Sequence, residues 1–472
     1  MNLNVDGSIL GNSNISDFGE LIRNADVARV HNFLDNIGYS NIFRAELMTL
    51  YHGLRMAWEL GIKDLMCYSD SNLQNFSTMR TRRRNYDKDR LSVLPHCLLF
   101  QILSHLNVKQ AVQTCILSTT WKIIWKDLHV LVLDSSYFKT FQTFTNFVSQ
   151  IFSLRNHKAS LQALKFQSRL GNIEPHLLKT ILNYAFSPDL ELLHMSMACN
   201  IEQFSLSNFS SHTLTSLNLA AYFKNFSRRP IFPNSLKLPA LTNLSLNFFA
   251  FSCGGGDDGY ADPFSAFKSL NTLIIQYCQV LDDKNLSISS VSLVNLTIQL
   301  SYHTPYKFEL STPNLCSFYF VGQPFQKLSG RNSYSNLSSI KHVHIVLPNW
   351  IRVENIPSIL FNWLVELALM ESLTISSKTL KILNLIPDSL KIDFPNLLNM
   401  KLLKIETHKL SSIPNGMGDF LLQNAPSAKR IIIELSARQI DDYMPNFFCI
   451  YFGLICNIHC VYILQKKQKL EE

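Results

Sequence analysis

A short leucine pattern that recurs from residue 161 onward constrains the fold of this chain more than any other feature. Each copy has the form L-x-x-L-x-φ, where φ is apolar. Alternating apolar residues form a short strand with one buried face, and a single unit buries that face only against its neighbours. The pattern therefore predicts stacked strands in a curved solenoid. The first six copies occupy 161–166, 190–195, 214–219, 241–246, 270–275 and 293–298.

Weaker copies extend the same pattern along the chain. A step of roughly 25 residues between copies is typical of leucine-rich repeats. The copies lack a steady asparagine at the turn, so the predicted array is irregular, and it covers 134–440. An ordinary β-rich domain is the alternative, but the regular step favours the repeat. The weaker copies occupy 315–320, 340–345, 364–369, 380–385 and 398–403.

Composition places the chain among globular proteins. Of its 472 residues, 47% are hydrophobic and 17% are charged, so we expect two or three domains with a large core. The net charge of +8 permits contact with nucleic acid or a membrane surface. One basic run predicts a solvated linker at 77–88, with a nuclear-import signal or a nucleic-acid contact as the alternatives. The run contains Arg80, Arg82, Arg83, Arg84, Lys88 and Arg90.

The ten cysteines and the two chain ends bear on the compartment. No cysteines form a CxxC pair, and residues 1–8 lack the basic start and apolar core of a signal peptide. We therefore expect a reducing compartment, the nucleus and/or the cytoplasm. In the atypical tail 441–472, the apolar stretch 447–464 contains Asn457 and His459. These polar residues would be costly in a bilayer. A membrane partner is not expected, and a buried strand pair or a gene-model error is the favoured explanation over an anchor.

Residues 89–133 are predicted to form three short amphipathic helices. Pro95 fits the first turn of the first helix, and Ser118 or Thr119 fits the cap of the third. So small a module cannot bury all its apolar side chains alone, so they must pack on the rest of the chain or on a partner's helices. The apolar stripes contain Leu98, Leu99, Ile102, Leu103 and Leu106, then Val112, Cys115 and Ile116, then Trp121, Ile124, Trp125 and Leu128.

The spacing of these residues resembles the F-box of plant F-box/leucine-rich-repeat proteins. His96, Asn107 and Thr120 depart from the motif, since they stand where an acidic residue, a proline and a basic residue are usual. The stretch 394–405 also resembles the start of the FBD-type segment of that family. The matched F-box positions are Leu91, Ser92, Leu94, Pro95, Leu98, Leu99, Ile102, Leu103, Ser104, Leu106, Lys109, Ala111, Val112, Thr114, Leu117, Ser118, Trp121 and Trp125.

The resemblance implies an adaptor of a ubiquitin ligase and not an enzyme. Its F-box would dock on a Skp1-like protein, which connects it indirectly to a cullin, and its repeats would bind a protein substrate of unknown identity. It implies no cofactor, no metal and no catalytic residue. The residues expected to bind the Skp1-like partner are Leu94, Pro95, Leu98, Leu99, Ile102, Leu103, Val112, Leu117, Trp121 and Trp125.

Three carboxylates within residues 1–76 form the best candidate for a catalytic site. A strand over 3–5 ends before Asp6, a helix over 45–60 carries Glu46, and a strand over 65–69 precedes Asp70. Carboxylates delivered by separate elements can hold two Mg²⁺ ions for phosphodiester hydrolysis. The surroundings of all three resemble the RNase H-like domain of plant reverse-transcriptase-derived proteins.

The likeness to this nuclease fold spans residues 1 to about 74, and such a domain normally continues with further helices, a strand and another acidic ligand. Residues 1–76 are therefore expected to be a partial, vestigial fragment, and nucleic acid is not an expected partner. A Mg²⁺-dependent nuclease acting on RNA–DNA hybrids is the alternative function. The predicted fold is mixed α+β and α/β: this partial RNase H-like fragment, a three-helix F-box at 89–133 and an irregular leucine-rich-repeat solenoid.

Overall fold

A computed structural model describes most of the chain between residues 2 and 435, and it divides the chain into two compact units, Met1–His105 and Leu106–Glu472. For residues up to 69 it describes the backbone of the strands alone. The described residues are 2–10, 15–23, 29–39, 66–69, 94–104, 106–185, 187–198, 209–222, 229–234, 236–252, 260–281, 285–300, 306–324, 328, 337–348, 355–392, 394–407, 413–414 and 416–435.

The described residues of the first unit form a four-stranded sheet and the helix α1 (His96–Ser104). The sheet has the order β3-β2-β1-β4, in which β1 pairs antiparallel with β2 and parallel with β4. The prediction that the first strand ends before Asp6 was wrong, because pairing with β2 continues through the Gly7–Phe18 and Ser8–Asp17 positions. The strands are β1 (Asn2–Leu10), β2 (Ile15–Arg23), β3 (Arg29–Tyr39) and β4 (Met66–Ser69).

The second unit begins with two short helices, each continued by a 3₁₀ turn. Helix α2 (Val108–Gln113) runs into a turn over Thr114–Ile116, and helix α3 (Thr119–Ile124) runs into a turn over Trp125–Asp127. Together with α1 they provide the three helices that the sequence predicts for 89–133.

A twelve-stranded sheet forms the body of the second unit. Every strand pair in it is parallel, and strands follow one another across the sheet in chain order. Its strands are β5 (Val130–Asp134), β6 (Ala163–Asn172), β7 (Leu192–Ala198), β8 (Ser216–Tyr222), β9 (Asn243–Asn247), β12 (Thr272–Gln276), β15 (Asn295–Gln299), β17 (Ser317–Val321), β18 (His342–Val346), β19 (Ser372–Ser376), β20 (Leu402–Thr407) and β21 (Lys429–Glu434).

The register of this sheet aligns the core residues of successive strands into two ladders. From β5 to β20 every member of both ladders is 2% exposed or less. The first ladder contains Leu131, Leu164, Leu193, Leu217, Leu244, Leu273, Leu296, Phe318, Val343, Leu373 and Leu403. The second contains Leu133, Phe166, Met195, Leu219, Leu246, Ile275, Ile298, Phe320, Ile345, Ile375 and Ile405.

Different elements connect the sheet strands at its ends and in its middle. Towards both ends the connections contain helices: α4 (Phe141–Leu154), α5 (Pro175–Ala185), α6 (Ile356–Glu366), α7 (Ser377–Leu383), α8 (Asp388–Lys391) and α9 (Met417–Gln423). In the middle they contain short strands in two small parallel sheets: β10 (Ala250–Phe251) with β13 (Gln279–Val280), and β11 (Tyr260–Ala261) with β14 (Asn285–Ser289) and β16 (Phe308–Ser311).

The structure corrects three of the weaker copies of the leucine pattern. Two copies begin on helices, with 364–366 on α6 and 380–383 on α7, because leucines three residues apart satisfy a helix face as well as the repeat pattern. The copy at 398–403 is displaced by two residues, since Met400 and not Leu398 occupies the buried first position before β20. The copy on β19 does not match the pattern for the same reason, because Met370 occupies its buried first position. The chain is thus a mixed α/β protein.

Candidate functional site

Helix α1 presents both buried and accessible residues from the predicted docking set. The backbone amides of Leu98 and Leu99 donate to the carbonyl oxygen of Pro95 at 3.0 and 3.2 Å, so this proline opens the helix as predicted. Leu99 and Leu103 are fully buried. Pro95 is exposed, and the half-buried members are Leu94, Leu98 and Ile102.

The two tryptophans of the predicted docking set belong to the core of the second unit. Trp121 is 2% exposed and Trp125 is 4% exposed, so both rings are covered within this chain. They hold α3 in place and have almost no surface left for a partner. Val112 and Leu117 are half-buried and keep part of their surface. Docking through any of these four residues stays a prediction.

Two isoleucines supply the accessible apolar surface that the tryptophans lack. Ile116 is 63% exposed on the turn after α2, and Ile123 is 61% exposed on α3. Ile116 belongs to the apolar stripe predicted for the second helix, whereas Ile123 was not among the predicted residues. A helical wheel offers the missing signal, because Ile123 lies off the face shared by Trp121, Ile124 and Trp125.

Asn107, one of the departures from the F-box motif, has a specific role here. Its side-chain oxygen accepts a hydrogen bond from the Gln110 amide at 2.9 Å, and the Gln110 side chain accepts one from the Asn107 amide at 3.2 Å. This reciprocal pair is a capping box at the start of α2. The residue that replaces the usual proline therefore stabilises the helix in another way.

The twelve-stranded sheet offers a second accessible surface on the face opposite its core ladders. Between β17 and β20 this face carries Tyr319, whose ring meets the His344 ring edge-on at 4.5 Å. His344 Nε2 lies 3.2 Å from a carboxylate oxygen of Glu406. The face opposite the core ladders thus presents these half-buried aromatic and ionisable groups in a fixed order.

A charge row lies just before three of the sheet strands. The ammonium nitrogens of Lys401 and Lys341 lie 2.7 and 3.2 Å from the two carboxylate oxygens of Glu371. Hydrogen bonds from Lys401 and then Lys341 hold the pKa of Glu371 below its usual range. Glu371 is therefore ionised at neutral pH, and the row alternates positive, negative and positive charge.

Of the three residues predicted to supply nuclease carboxylates, the structure describes only Asp6. Asp6 lies inside β1, and its neighbour Val5 pairs with Ser69, the residue before Asp70. Glu46 and Asp70 themselves lie outside the described residues. Among the residues that are described, no group of three or more metal-binding side chains comes together.

Comparison with known families identifies the helical module. The F-box domain model matches residues 91–133. The chain carries an F-box domain. The predicted resemblance to F-box proteins is confirmed, and the domain contains α1 to α3, the two tryptophans and the two exposed isoleucines.

A second family model, described as reverse transcriptase-like, matches residues 4–92. It confirms the resemblance of the N-terminal region to RNase H-like domains, and it includes the stretch 77–88 that the sequence assigns to a linker. A solved ribonuclease H1 from the archaeon Halobacterium salinarum is 26% identical and covers 17% of this chain and 64% of its own, with a TM-score of 0.15.

Curated relatives of this F-box chain come from Arabidopsis thaliana. A putative F-box/FBD/LRR-repeat protein is 28% identical over 252 residues, which is 52% of this chain and 57% of the relative. An F-box/LRR-repeat protein is 25% identical over 256 residues, or 54% of this chain and 78% of the relative. A further F-box/FBD/LRR-repeat protein is 45% identical over 74 residues, 16% of each chain. This chain spans about half the length of the first of these relatives.

Proposed function

We propose that this protein is the substrate-recognition adaptor of a Skp1–cullin–F-box type ubiquitin ligase. The observation that carries the proposal is the F-box match at 91–133, in a chain similar to proteins named for both an F-box and leucine-rich repeats. Such an adaptor performs no bond chemistry. It raises the local concentration of its substrate beside the ligase, which accelerates transfer without any catalytic residue of its own.

Ile116 and Ile123 are the proposed contacts to the Skp1-like partner on the second unit. Large apolar side chains that are more than half exposed lose that exposure favourably when a partner covers them. Trp121 and Trp125 are buried in the core and hold α3, which carries Ile123, in place. The cullin is reached only through the Skp1-like protein, so no surface of this chain is assigned to it.

The twelve-stranded sheet is the proposed substrate-binding region, as an irregular array of leucine-rich repeats. Its support is the one-strand-per-unit order and the unbroken core ladders, in which each unit buries its apolar residues only against its neighbours. The opposite face, with the half-buried side chains of Tyr319, His344 and Glu406, is the part of the sheet proposed to meet a protein substrate.

Co-purification with a Skp1-like protein tests the docking proposal. We expect Ile116→Asp and Ile123→Asp each to weaken binding by about tenfold or more, because a charge would be placed in an apolar contact. The matched control is Val291→Asp, which alters a side chain of similar exposure (67%) outside the F-box and leaves binding unchanged. Undiminished binding by the Ile116→Asp, Ile123→Asp double variant would contradict the assignment.

The nucleus and/or the cytoplasm is the proposed location, where a cullin ligase operates. No helix among the described residues is both long and apolar enough to cross a membrane. The apolar stretch 447–464 lies outside the described residues.

An RNase H-type nuclease is the second candidate function. The reverse transcriptase-like match at 4–92 and the parallel pairing of β1 with β4, beside Asp6, favour it. Mg²⁺-dependent cleavage of an RNA–DNA hybrid by the full chain, lost in Asp6→Asn, would establish this activity. We expect no cleavage, because the reverse transcriptase-like match stops at residue 92, where the F-box match has already begun.

A further inference from the structure

Arg229 is a buried cation in the middle of the twelve-stranded sheet region. It follows β8 and is 8% exposed. Its guanidinium donates a hydrogen bond to the carbonyl oxygen of Tyr277 and lies over the Phe248 ring, 5.8 Å from the ring centroid. Phe248 and Tyr277 in turn stack at 5.3 Å, and both have positive φ angles of 64° and 51°. Non-glycine residues hold that conformation at a cost, typically where a binding site requires it.

No negative charge balances Arg229 among the described residues. The ionisable groups that act on it are Cys278 and Tyr306. Burial raises the pKa of the Cys278 thiol to about 12 and raises the pKa of the Tyr306 hydroxyl well above its usual value. Both groups are therefore neutral at neutral pH, while an arginine stays charged. A buried charge without a partner is strongly unfavourable, so an anion beside Arg229 would be stabilising.

A second buried arginine in the same unit makes more hydrogen bonds than Arg229, although its own Nε meets no partner in the described part of the chain. Arg155 is 3% exposed. Its guanidinium donates to the carbonyl oxygens of Lys126 at 3.2 Å and of Ala159 and Ser160, both at 3.1 Å. Asp127 adds a favourable charge nearby. Arg229, by contrast, donates to one carbonyl oxygen in the described part of the chain.

Polar groups without partners lie in the same region as Arg229. The Tyr306 hydroxyl is buried and meets no hydrogen-bond partner in the described part of the chain, and the same holds for the side-chain oxygen of Asn247. Asn247 belongs to an amide row at the carboxyl ends of β9, β12 and β15. In this row Asn247 donates to Gln276 at 3.4 Å, and Gln276 donates to Gln299 at 3.2 Å.

We propose that Arg229 anchors the carboxylate of a ligand at this edge of the sheet, with the Tyr306 hydroxyl as a second donor. The planar guanidinium matches a carboxylate with two parallel hydrogen bonds. One positive charge balances one negative charge, so a carboxylate fits better than a phosphate, which carries a greater charge. The carboxylate belongs either to a small organic acid or to an acidic side chain of a protein substrate.

Thermal unfolding of the full chain tests the proposal with acetate as the probe. Acetate is compared with chloride at matched pH and ionic strength. A ligand that binds only the native state raises the Tm. We expect a rise of about 2–4 °C at saturating acetate. Arg229→Met abolishes the acetate response. Tyr306→Phe removes only a hydroxyl that meets no described partner, so this variant folds and responds less than the native chain.

Two further arms identify the source of the carboxylate. A glutamate-containing tripeptide with blocked ends represents a protein side chain, and a stronger response to it than to acetate indicates a substrate protein. A stronger response to acetate indicates a small acid. Arg155→Met is the control, since it lowers the Tm but preserves the response.

Three results would overturn the proposed site. The first is an unchanged acetate response in Arg229→Met, and the second is no response in the native chain. The third is a response that appears only in an Asp257→Asn, Asp258→Asn double variant. That result would mean that a carboxylate of this chain occupies the site.

Discussion

Trp121 and Ile123 lie two residues apart on α3 and meet opposite environments. The tryptophan is 2% exposed and the isoleucine is 61% exposed. A buried ring stabilises the fold, whereas an exposed aliphatic side chain adds little to it and remains available to a partner. The same short helix thus carries one residue that stabilises the F-box, Trp121, and one that is proposed to contact the partner, Ile123.

Alanine substitutions distinguish these two roles. Trp121→Ala is expected to lower the free energy of unfolding by about 3–5 kcal/mol, because it removes a fully packed ring and leaves a cavity. Ile123→Ala is expected to change it by less than about 0.5 kcal/mol. Urea denaturation followed by circular dichroism measures both, and an equal loss in the two variants would refute the distinction.

The buried thiol of Cys278 makes stability depend on alkaline pH. Burial raises its pKa from 9.0 to about 12, so above pH 9 the thiol ionises in the unfolded chain before it does so in the native one. The unfolded state then binds fewer protons, and stability falls as pH rises, by about 1 kcal/mol per pH unit. The native chain should therefore lose stability between pH 9 and pH 10.

Cys278→Ala isolates this contribution. The variant should show a shallower decline between pH 9 and pH 10 in urea denaturation, whatever its stability at pH 7. Cys316→Ala alters a thiol that is only half-buried and serves as the control. A slope for Cys278→Ala equal to that of the native chain would exclude the thiol as its source.

At the scale of elements, the start of α2 shows how a local substitution compensates for a missing motif residue. Asn107→Ala should cost about 1 kcal/mol in urea denaturation, because the capping box at Gln110 loses one of its two hydrogen bonds and the Asn107 side chain is only 8% exposed. Gln113→Ala is the matched control, since Gln113 is an exposed residue of the same helix. Equal effects of the two changes would contradict the role of the cap.

The strands of the large sheet follow from the sequence wherever leucine or isoleucine fills the first repeat position. A period-two pattern fixes which side chains enter the core, and the parallel register then aligns them. The pattern failed at Met370 and Met400, which fill the same buried position with another residue type. It also failed at 364–369 and 380–385, where the spacing of leucines suits a helix face equally well.

The candidate site was less predictable from the sequence than the fold. The motif identified the F-box, but it could not separate residues that pack from residues that remain exposed, since both are apolar. Ile123 was missed for that reason. Arg229 was missed because its burial and charge balance depend on contacts between residues distant in the chain.

At the scale of the whole second unit, the two ladders carry stability from strand to strand. Ile275 is fully buried between Leu246 of β9 and Ile298 of β15. The ladder reaches Ile432 of β21, which pairs with Ile405 on one side and is 43% exposed. In an array stabilised by contacts between neighbouring units, a ladder residue on the outermost described strand contributes less to the free energy of unfolding than an internal one.

Substitutions at these two positions of one ladder test this gradient. Ile275→Ala should lower the free energy of unfolding by about 2–5 kcal/mol, because its cavity is enclosed by neighbouring units. Ile432→Ala should cost about 1 kcal/mol or less, since much of its side chain already meets solvent. Hydrogen exchange should show that Ile275→Ala loosens β9 and β15 together, whereas Ile432→Ala affects β20 and β21 alone. Equal and uniform loss of protection in both variants would mean that the sheet unfolds as one cooperative body without a dependence on neighbours.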